Sequence, residues 1–170
     1  KAMAGVDKAL MVCPNGEKQL DIEKQFVDVA KKAGVKHIVK MSSMEATPTA
    51  KVPIAKIHYA SEQYLQQSGL DWTMIKPNFF MQNLLSSAAG IKANRKFSLP
   101  MGNGTTGMAD IRDIGAVCAE VLTGKGHAGQ SYEITGPEVL TFADVAERFS
   151  AALGVKIEYV PMPMDQFRTR

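Results

Sequence analysis

The sequence predicts an α/β protein in which the strands of a parallel sheet alternate with helices. Short apolar runs that end at turn residues are followed by longer segments whose apolar residues recur every three or four positions. Strand, helix, strand, helix and strand in this order are typical of right-handed βαβ units. With 45% hydrophobic and 22% charged residues in a chain of 170, the protein can bury a real core.

The first βαβ unit is predicted between residues 6 and 41. The segment 6–13 ends in an apolar run from Ala9 to Cys13, which the turn residues 14–16 close, and this indicates a buried strand. The apolar residues of 22–33 follow helical spacing, and Gly34 provides the stop. A second strand is predicted over 37–41.

The second unit ends in a strand that points to a ligand. A helix is predicted around 57–65 with Gly69 as its stop, and a third strand over 72–75. Pro77 ends this strand because proline has no N–H for the ladder. Ligands of open α/β sheets bind beyond the carboxyl ends of the strands, so we expect the residues from Pro77 onward to face a ligand. The pattern predicts a Rossmann-type, doubly wound parallel sheet.

The pattern changes in the C-terminal half. A helix is predicted over 114–122 and a strand near 132–134. A further helix is predicted to start at a capping box at Thr141 and to stop at Gly154, and a final strand is predicted over 156–160. No internal repeat or linker divides the chain. We therefore expect one domain over 1–170. Within it, residues 90–170 are expected to form a small α/β region on the substrate side.

A glycine-rich segment matches a dinucleotide-binding pattern in letters only. Gly102 to Gly107 reads G-x-G-x-x-G, but a phosphate-binding loop needs a buried strand directly before it and a helix start directly after it. The next helix begins too late, after Asp110, so we expect a surface turn. The true loop would lie upstream of Lys1, and we interpret the fold as incomplete at the N-terminus by roughly 60 residues, the length of two βαβ units.

Composition and spacing exclude several functions. The net charge is +3, and the basic residues form no stripe with aromatic residues, which argues against nucleic acid as a partner. No apolar run approaches the roughly 18 residues of a membrane span, and no signal-peptide pattern is present, so we expect a cytoplasmic protein without a membrane partner. The cysteines and histidines have no metal-ligand spacing and predict no metal site; they are Cys13, Cys118, His37, His58 and His127.

Several motifs together support a family resemblance. They are Gly5-Val-Asp7, Ala33-Gly-Val-Lys-His-Ile-Val39 leading to Ser42-Ser43, His58 with Glu62, Trp72-Thr-Met-Ile-Lys-Pro-Asn-Phe-Phe-Met-Gln-Asn83, Leu99-Pro-Met-Gly102, Asp110-Ile-Arg-Asp-Ile114 and Tyr132-Glu-Ile-Thr-Gly-Pro137. This combination resembles the NmrA-like, NAD(P)-binding branch of the atypical short-chain dehydrogenases. The resemblance implies NADP as cofactor, with NAD as the alternative, a quinone-like small-molecule acceptor, and compatibility with a homodimer. The same branch includes dinucleotide-sensing regulators without catalytic activity, which is the alternative function.

The resemblance also implies a set of cofactor-binding residues. They would follow the three strands in turn: Pro14 and Asn15 after the first; Met41, Ser42 and Ser43 on the nicotinamide side after the second; and Pro77, Asn78, Phe79 and Phe80 closing over the nicotinamide. Each has a structural alternative. The prolines are also strand stops, the serines are also loop formers, and the two phenylalanines are also candidates for core packing.

The usual proton donor of short-chain dehydrogenases is missing. In these enzymes a Tyr-x-x-x-Lys pair supplies the proton, but Tyr59 is followed four residues later by Gln63, and Tyr59 is expected at the surface. Alignment on Glu62 places His58 at the lysine position. Either His58 and Glu62 form a surface pair, or the carboxylate favours a charged His58 that contacts the cofactor or donates a proton.

A missing acid restricts the acceptors. Reduction of a quinone or another electron-poor π-system gives a stabilised anion that solvent can protonate, so the protein needs to supply only alignment and an apolar pocket. Methionines near the predicted strand ends would make such a pocket adaptable: Met44, Met81, Met101 and Met108.

Overall fold

A computed structural model of the protein describes residues 2–168. In chain order its elements are β1 (Lys8–Met11), α1 (Gln19–Lys32), β2 (His37–Met41), α2 (Pro53–Gln67), β3 (Asp71–Pro77), a 3₁₀ segment (Met81–Ser87), α3 (Ala88–Asn94), β4 (Lys96–Leu99), β5 (Thr105–Thr106), α4 (Ile111–Thr123), β6 (Gln130–Ile134), β7 (Leu140–Thr141), α5 (Phe142–Leu153), β8 (Glu158–Pro161) and α6 (Met164–Arg168).

The chain forms two compact units, each made of two segments. The first unit comprises Lys1–Asn78 and Arg112–Ile134, and the second comprises Phe79–Ile111 and Thr135–Arg170. The expected substrate-side part began at residue 90. The second unit begins at Phe79 and leaves out 112–134, which belong to the first unit; a substrate-side role of 90–170 stays a prediction.

The first unit contains a four-stranded sheet with the order β1-β2-β3-β6, in which all neighbours are parallel. Val39 lies at its centre, paired with Leu10 on one side and Thr73 on the other. The predicted parallel sheet is therefore confirmed, with β6 as a fourth strand beside β3. Since β2 and β3 have neighbours on both sides, their carboxyl ends are held at one edge of the sheet.

The apolar core of the first unit lies between the sheet and helices α1 and α2. Its buried members are Met11, Val27, Ala30, Val35, Ile38, Leu65 and Met74. The predicted apolar stripe of α1 was wrong at three positions, because Ile22 and Val29 are 50% and 46% exposed and Ala33 is also exposed. Gln19 and Glu23 take the buried positions in the first turns of α1, where Glu23 pairs with a buried lysine described below and the Gln19 amide donates to Glu23.

The second unit has its own core and two small sheets. Strands β4 and β8 pair in parallel, and β5 pairs with β7 in an antiparallel bridge. Helix α5 begins with the predicted capping box, in which Thr141 Oγ1 accepts from the Asp144 N–H and the Asp144 carboxylate accepts from the Thr141 N–H. The helix ends at Gly154, whose φ of +66° favours glycine. The buried core comprises Leu84, Phe97, Met108, Phe142, Val145, Ala146 and Ile157.

The glycine-rich segment forms the expected turn. Gly102 and Gly104 are exposed, β5 follows at once, and α4 begins only at Ile111. Gly107 lies instead close to the segment that contains Gly136. A Cβ added at Gly136 would lie 2.0 Å from the carbonyl oxygen of Met108, the residue after Gly107. These glycines therefore permit a close approach of two backbones.

Residues 2–168 contain neither a helix that could span a membrane nor a cluster of metal-ligand side chains. No helix there combines the length and the hydropathy needed to cross a bilayer. No group of three or more acidic, histidine or cysteine side chains there is arranged to hold a metal ion. Cys118 is buried and Cys13 half-buried, and burial raises the pKa of both thiols.

Candidate functional site

The predicted site residues of the first unit lie along one edge of its sheet. Because β1, β2 and β3 are adjacent and parallel, the residues that follow Met11, Met41 and Pro77 all leave the sheet at its carboxyl edge. Pro14 and Asn15 are exposed there. The other predicted residues of this edge range from buried to half-buried: Met41, Ser42, Ser43, Pro77 and Asn78.

Backbone hydrogen bonds continue past the strand ends and fix this edge. The Ser42 N–H donates to the Ile75 carbonyl over 2.7 Å, and the Asn78 N–H donates to the Ile134 carbonyl over 2.9 Å. The segments that carry Ser42 and Asn78 are thus held by neighbouring strands. They are starting points of loops with a fixed geometry.

A buried carboxylate joins α2 to both strand ends. Glu62 is 3% exposed, and one of its oxygens accepts a hydrogen bond from the Ser42 hydroxyl. Its other oxygen lies 3.0 Å from Lys76 Nζ, which also donates to the Ala46 carbonyl. Glu62 therefore positions a side chain of β3 and the first side chain after β2.

A second buried ion pair lies between α1 and β2. Lys40 Nζ is 2.7 Å from Glu23 Oε2, and neither side chain is more than 1% exposed. Burial alone would raise the pKa of Glu23, but the charge and hydrogen bond of Lys40 prevail and lower it. Burial lowers the pKa of Lys40, and the attraction of Glu23 offsets this only in part.

His58 lies beside this ion pair and is neutral at pH 7. Burial, together with the Lys40 charge, lowers the pKa of His58 to about 4. Lys40 Nζ can only donate, and it lies 3.4 Å from His58 Nδ1, which accepts from it when the imidazole proton is on Nε2. That nitrogen lies 3.5 Å from the Gln19 amide nitrogen.

The surface-pair interpretation of His58 and Glu62 was wrong, and so was the expectation that Glu62 favours a charged His58; contact of His58 with the cofactor stays a prediction. The two side chains are buried, at 8% and 3% exposure, so they are not a surface pair. Glu62 does not favour a charged imidazole, because its oxygens meet Ser42 and Lys76 while His58 meets Lys40. A neutral imidazole with a pKa of about 4 is not a proton donor at neutral pH, so a catalytic role as acid is not supported.

Three aromatic residues were expected at the surface, in the core or near the cofactor, and their positions in the structure bear on these expectations. Tyr59 is half-buried and not fully at the surface. The Phe79 ring packs edge-on against Phe142, with centroids 5.6 Å apart, which favours core packing for Phe79. Phe80 is half-buried and forms a backbone bridge with Ala109.

Sequence reasoning missed the residues that organise the site. Lys40 stands in the run His-Ile-Val-Lys-Met of a central strand, where a lysine is rare unless it has a buried partner. That signal was available. It would also have indicated that an acidic residue of a neighbouring helix, here Glu23, faces the core.

The second unit contains an apolar cavity of about 880 Å³. Leu84, Ile91 and Phe149 are among its lining residues, and two of the four methionines expected in an adaptable pocket, Met81 and Met108, also line it. The other two, Met44 and Met101, do not.

Comparison with known proteins assigns the chain to a family. Residues 1–169 match the model of a protein family that is described as the NmrA-like family. The chain belongs to the NmrA-like family. The family resemblance expected from the motifs is thus confirmed, and it agrees with the parallel sheet and the site at its carboxyl edge.

Curated relatives of this NmrA-like chain include two enzymes. The NAD(P)H azoreductase of Xenophilus azovorans is 40% identical over 165 residues, which are 97% of this chain and 58% of that protein. Quinone oxidoreductase 2 of Escherichia coli is 28% identical over 159 residues, which are 93% of this chain and 55% of that protein. The NmrA-like chain therefore spans less than two thirds of the length of these relatives.

Solved structures confirm the Rossmann-type fold of the NmrA-like chain. An NADPH-dependent quinone oxidoreductase from Escherichia coli, complexed with NADPH, superimposes with a TM-score of 0.90 at 27% identity, covering 99% of this chain and 59% of that one. The Citrobacter sp. triphenylmethane reductase complexed with NADP(H) superimposes with a TM-score of 0.88 at 22% identity, covering 99% and 60%. The latter likeness concerns the fold alone.

Proposed function

We propose that the protein is an NAD(P)H-dependent reductase that transfers hydride to quinone-like or other electron-poor acceptors. The observation that carries the proposal is the carboxyl edge of the sheet, where Ser42 and Asn78 stand at the ends of adjacent parallel strands. The 40% identical azoreductase supports it, as does the NADPH-bound quinone oxidoreductase structure. NADP is the proposed cofactor, with NAD as the alternative.

The residues present suit the nicotinamide half of a dinucleotide. Ser42 and Asn78 offer hydrogen-bonding side chains at adjacent strand ends, and backbone hydrogen bonds hold both segments in place. A bound NAD(P)H supplies the hydride. The residues proposed to hold it in the first unit are Pro14, Asn15, Met41, Ser42, Ser43, Pro77 and Asn78, with His58 beneath them as a neutral polar group.

The lack of an acid selects the class of acceptor. At neutral pH His58 is a neutral imidazole and not the stronger acid imidazolium, and Tyr59 has no lysine four residues later. Acceptors whose reduced form is a stabilised anion are therefore favoured over simple ketones, since solvent can protonate such products. A cytoplasmic location, where NAD(P)H is available, fits this proposal.

The test is dinucleotide oxidation by the full-length protein. NADPH and NADH are each offered with a benzoquinone, a naphthoquinone, an azo dye and a simple ketone. We expect consumption with the quinones and the azo dye and much less with the ketone. Dinucleotide binding without consumption on any acceptor would contradict the reductase and favour a dinucleotide-sensing protein.

A further inference from the structure

The Ser42 hydroxyl has only one hydrogen to give, and the structure shows where it goes. A carboxylate is an acceptor only, so in the contact between Ser42 and Glu62 the hydroxyl must donate. The Ser42 backbone N–H is also engaged, because it donates to the Ile75 carbonyl. What Ser42 retains for a ligand is the acceptor capacity of its Oγ.

Glu62 is held in the geometry that fixes this polarity. Its second oxygen pairs with Lys76 Nζ over 3.0 Å, and Lys76 is itself anchored to the Ala46 carbonyl over 3.1 Å. Both side chains are largely buried, with exposures of 5% for Glu62 and 15% for Lys76. The carboxylate therefore cannot turn away from Ser42 without losing a partner of opposite charge in a dry environment.

We propose that Ser42 is fixed as a hydrogen-bond acceptor for a bound nicotinamide nucleotide, and that Glu62 is the positioning residue that fixes it. This inference rests on the proposed function. It implies that the group of the nucleotide that meets Ser42 is a hydrogen-bond donor, either the carboxamide NH₂ or a ribose hydroxyl. It also implies that Ser42 donates no hydrogen bond to the oxygen that gains charge on an acceptor.

The test compares NADP⁺ with its 3-acetylpyridine analogue, in which a methyl group replaces the carboxamide NH₂. Dissociation constants are measured by calorimetry with the full-length protein and with the variants Ser42→Ala and Glu62→Gln. If the carboxamide is the donor, the wild-type protein binds NADP⁺ roughly 2- to 12-fold more tightly than the analogue. Ser42→Ala should bring this ratio close to one.

Glu62→Gln tests the positioning role separately. A glutamine NH₂ can donate to Ser42 Oγ, which frees the hydroxyl to donate to the ligand, so the ratio should also fall toward one. A purely structural role would weaken both nucleotides equally. Ser42→Ala leaves the Glu62 and Lys76 pair in place, so it provides a readout even if Glu62→Gln does not fold. The matched control is Thr47→Ala, which removes an exposed hydroxyl in the loop after β2. It should leave the dissociation constants of both nucleotides unchanged.

The possible results distinguish a carboxamide donor from a ribose donor, and they distinguish failure of this inference from failure of the proposed function. Equal weakening of both nucleotides by Ser42→Ala with an unchanged melting temperature assigns the donor to a ribose hydroxyl and supports the proposal, whereas equal weakening with a lowered melting temperature is a structural effect and overturns it. Unchanged constants in Ser42→Ala also overturn it. The role of Glu62 is overturned by an unchanged ratio in Glu62→Gln if the carboxamide is the donor, and by unchanged constants in Glu62→Gln if a ribose hydroxyl is the donor. If the wild-type protein binds neither nucleotide, the proposed function fails and this inference fails with it.

Discussion

Lys40 is a buried charge whose counter-ion is the buried Glu23 carboxylate. In the variant Lys40→Met the Glu23 carboxylate, 1% exposed, loses its counter-ion, and we expect unfolding to become easier by about 3–5 kcal/mol. The double variant Lys40→Met with Glu23→Leu should recover much of this loss, because no charge is left buried. Urea unfolding measures both.

The control for this prediction is Lys36→Met. Lys36 pairs with Asp7 at the surface, with side chains 75% and 73% exposed, so its removal should change the unfolding midpoint very little. If the double variant is as unstable as Lys40→Met alone, the buried ion pair does not explain the loss.

Gly136 has no room for a side chain. The Cβ of Gly136→Ala would lie 2.0 Å from the Met108 carbonyl oxygen, so the backbone has to move. Overpacking of this kind typically destabilises by roughly 1–3 kcal/mol, and a clash with backbone belongs at the upper end or beyond. Thermal unfolding of Gly136→Ala is compared with that of Gly16→Ala, where a Cβ meets nothing within 4 Å. Equal melting temperatures would contradict the prediction.

Among the elements, α5 depends on its capping box. Thr141→Ala removes the oxygen that accepts from the Asp144 N–H over 3.1 Å, and we expect a loss of about 1 kcal/mol in the free energy of unfolding. Thr141→Ser keeps the hydroxyl and should retain most of the stability. A Thr141→Ser variant that is as unstable as Thr141→Ala would show that packing of the methyl group, and not the cap, is what matters.

Helices α5 and α1 show how far sequence patterns reach at this scale. The capping box and Gly154 bracket α5 in the sequence, and its start and end were predicted within a residue. For α1 the helix was predicted but its buried face was not, because the apolar pattern assigned Ile22 to the core while Glu23 is buried. A pattern based on hydrophobicity cannot detect a face that is buried through an ion pair with a distant residue.

The site was predictable to a similar extent. Strand order and strand ends placed Ser42 and Asn78 at one edge, since that follows from βαβ connectivity alone. The partners of His58 could not be predicted in this way. Glu62 is only four residues away in the chain but pairs with Lys76, whereas Lys40, eighteen residues away, lies 3.4 Å from the His58 ring. The short helices over 81–94 were also missed, as they carry no long apolar period.

For the whole molecule, burial of His58 makes stability depend on pH. The pKa of His58 is about 4 in the folded protein and 6.5 for an imidazole that is exposed to water, as in the unfolded chain. Between these two pH values the unfolded chain binds the proton and the folded protein does not. Stability should therefore be intact above about pH 6.5 and fall as the pH is lowered toward 4, by up to about 3 kcal/mol.

Other groups act in the same direction. Burial lowers the pKa of His37, and the lowered pKa of Glu23 means that its contribution is lost as the pH falls through its folded value. Urea unfolding at several pH values is measured for the wild type and His58→Gln. The variant should show a shallower loss between pH 6.5 and 4, and parallel curves would contradict the assignment.

The chain passes between the two compact units three times, after Asn78, after Ile111 and after Ile134. Neither unit is a continuous stretch of the gene. A truncation at Asn78 would delete β6 together with the second unit, although β6 completes the sheet of the first. Exchange of the second unit between relatives by recombination therefore needs three crossovers at these junctions, with 112–134 kept from the parent that supplies the first unit.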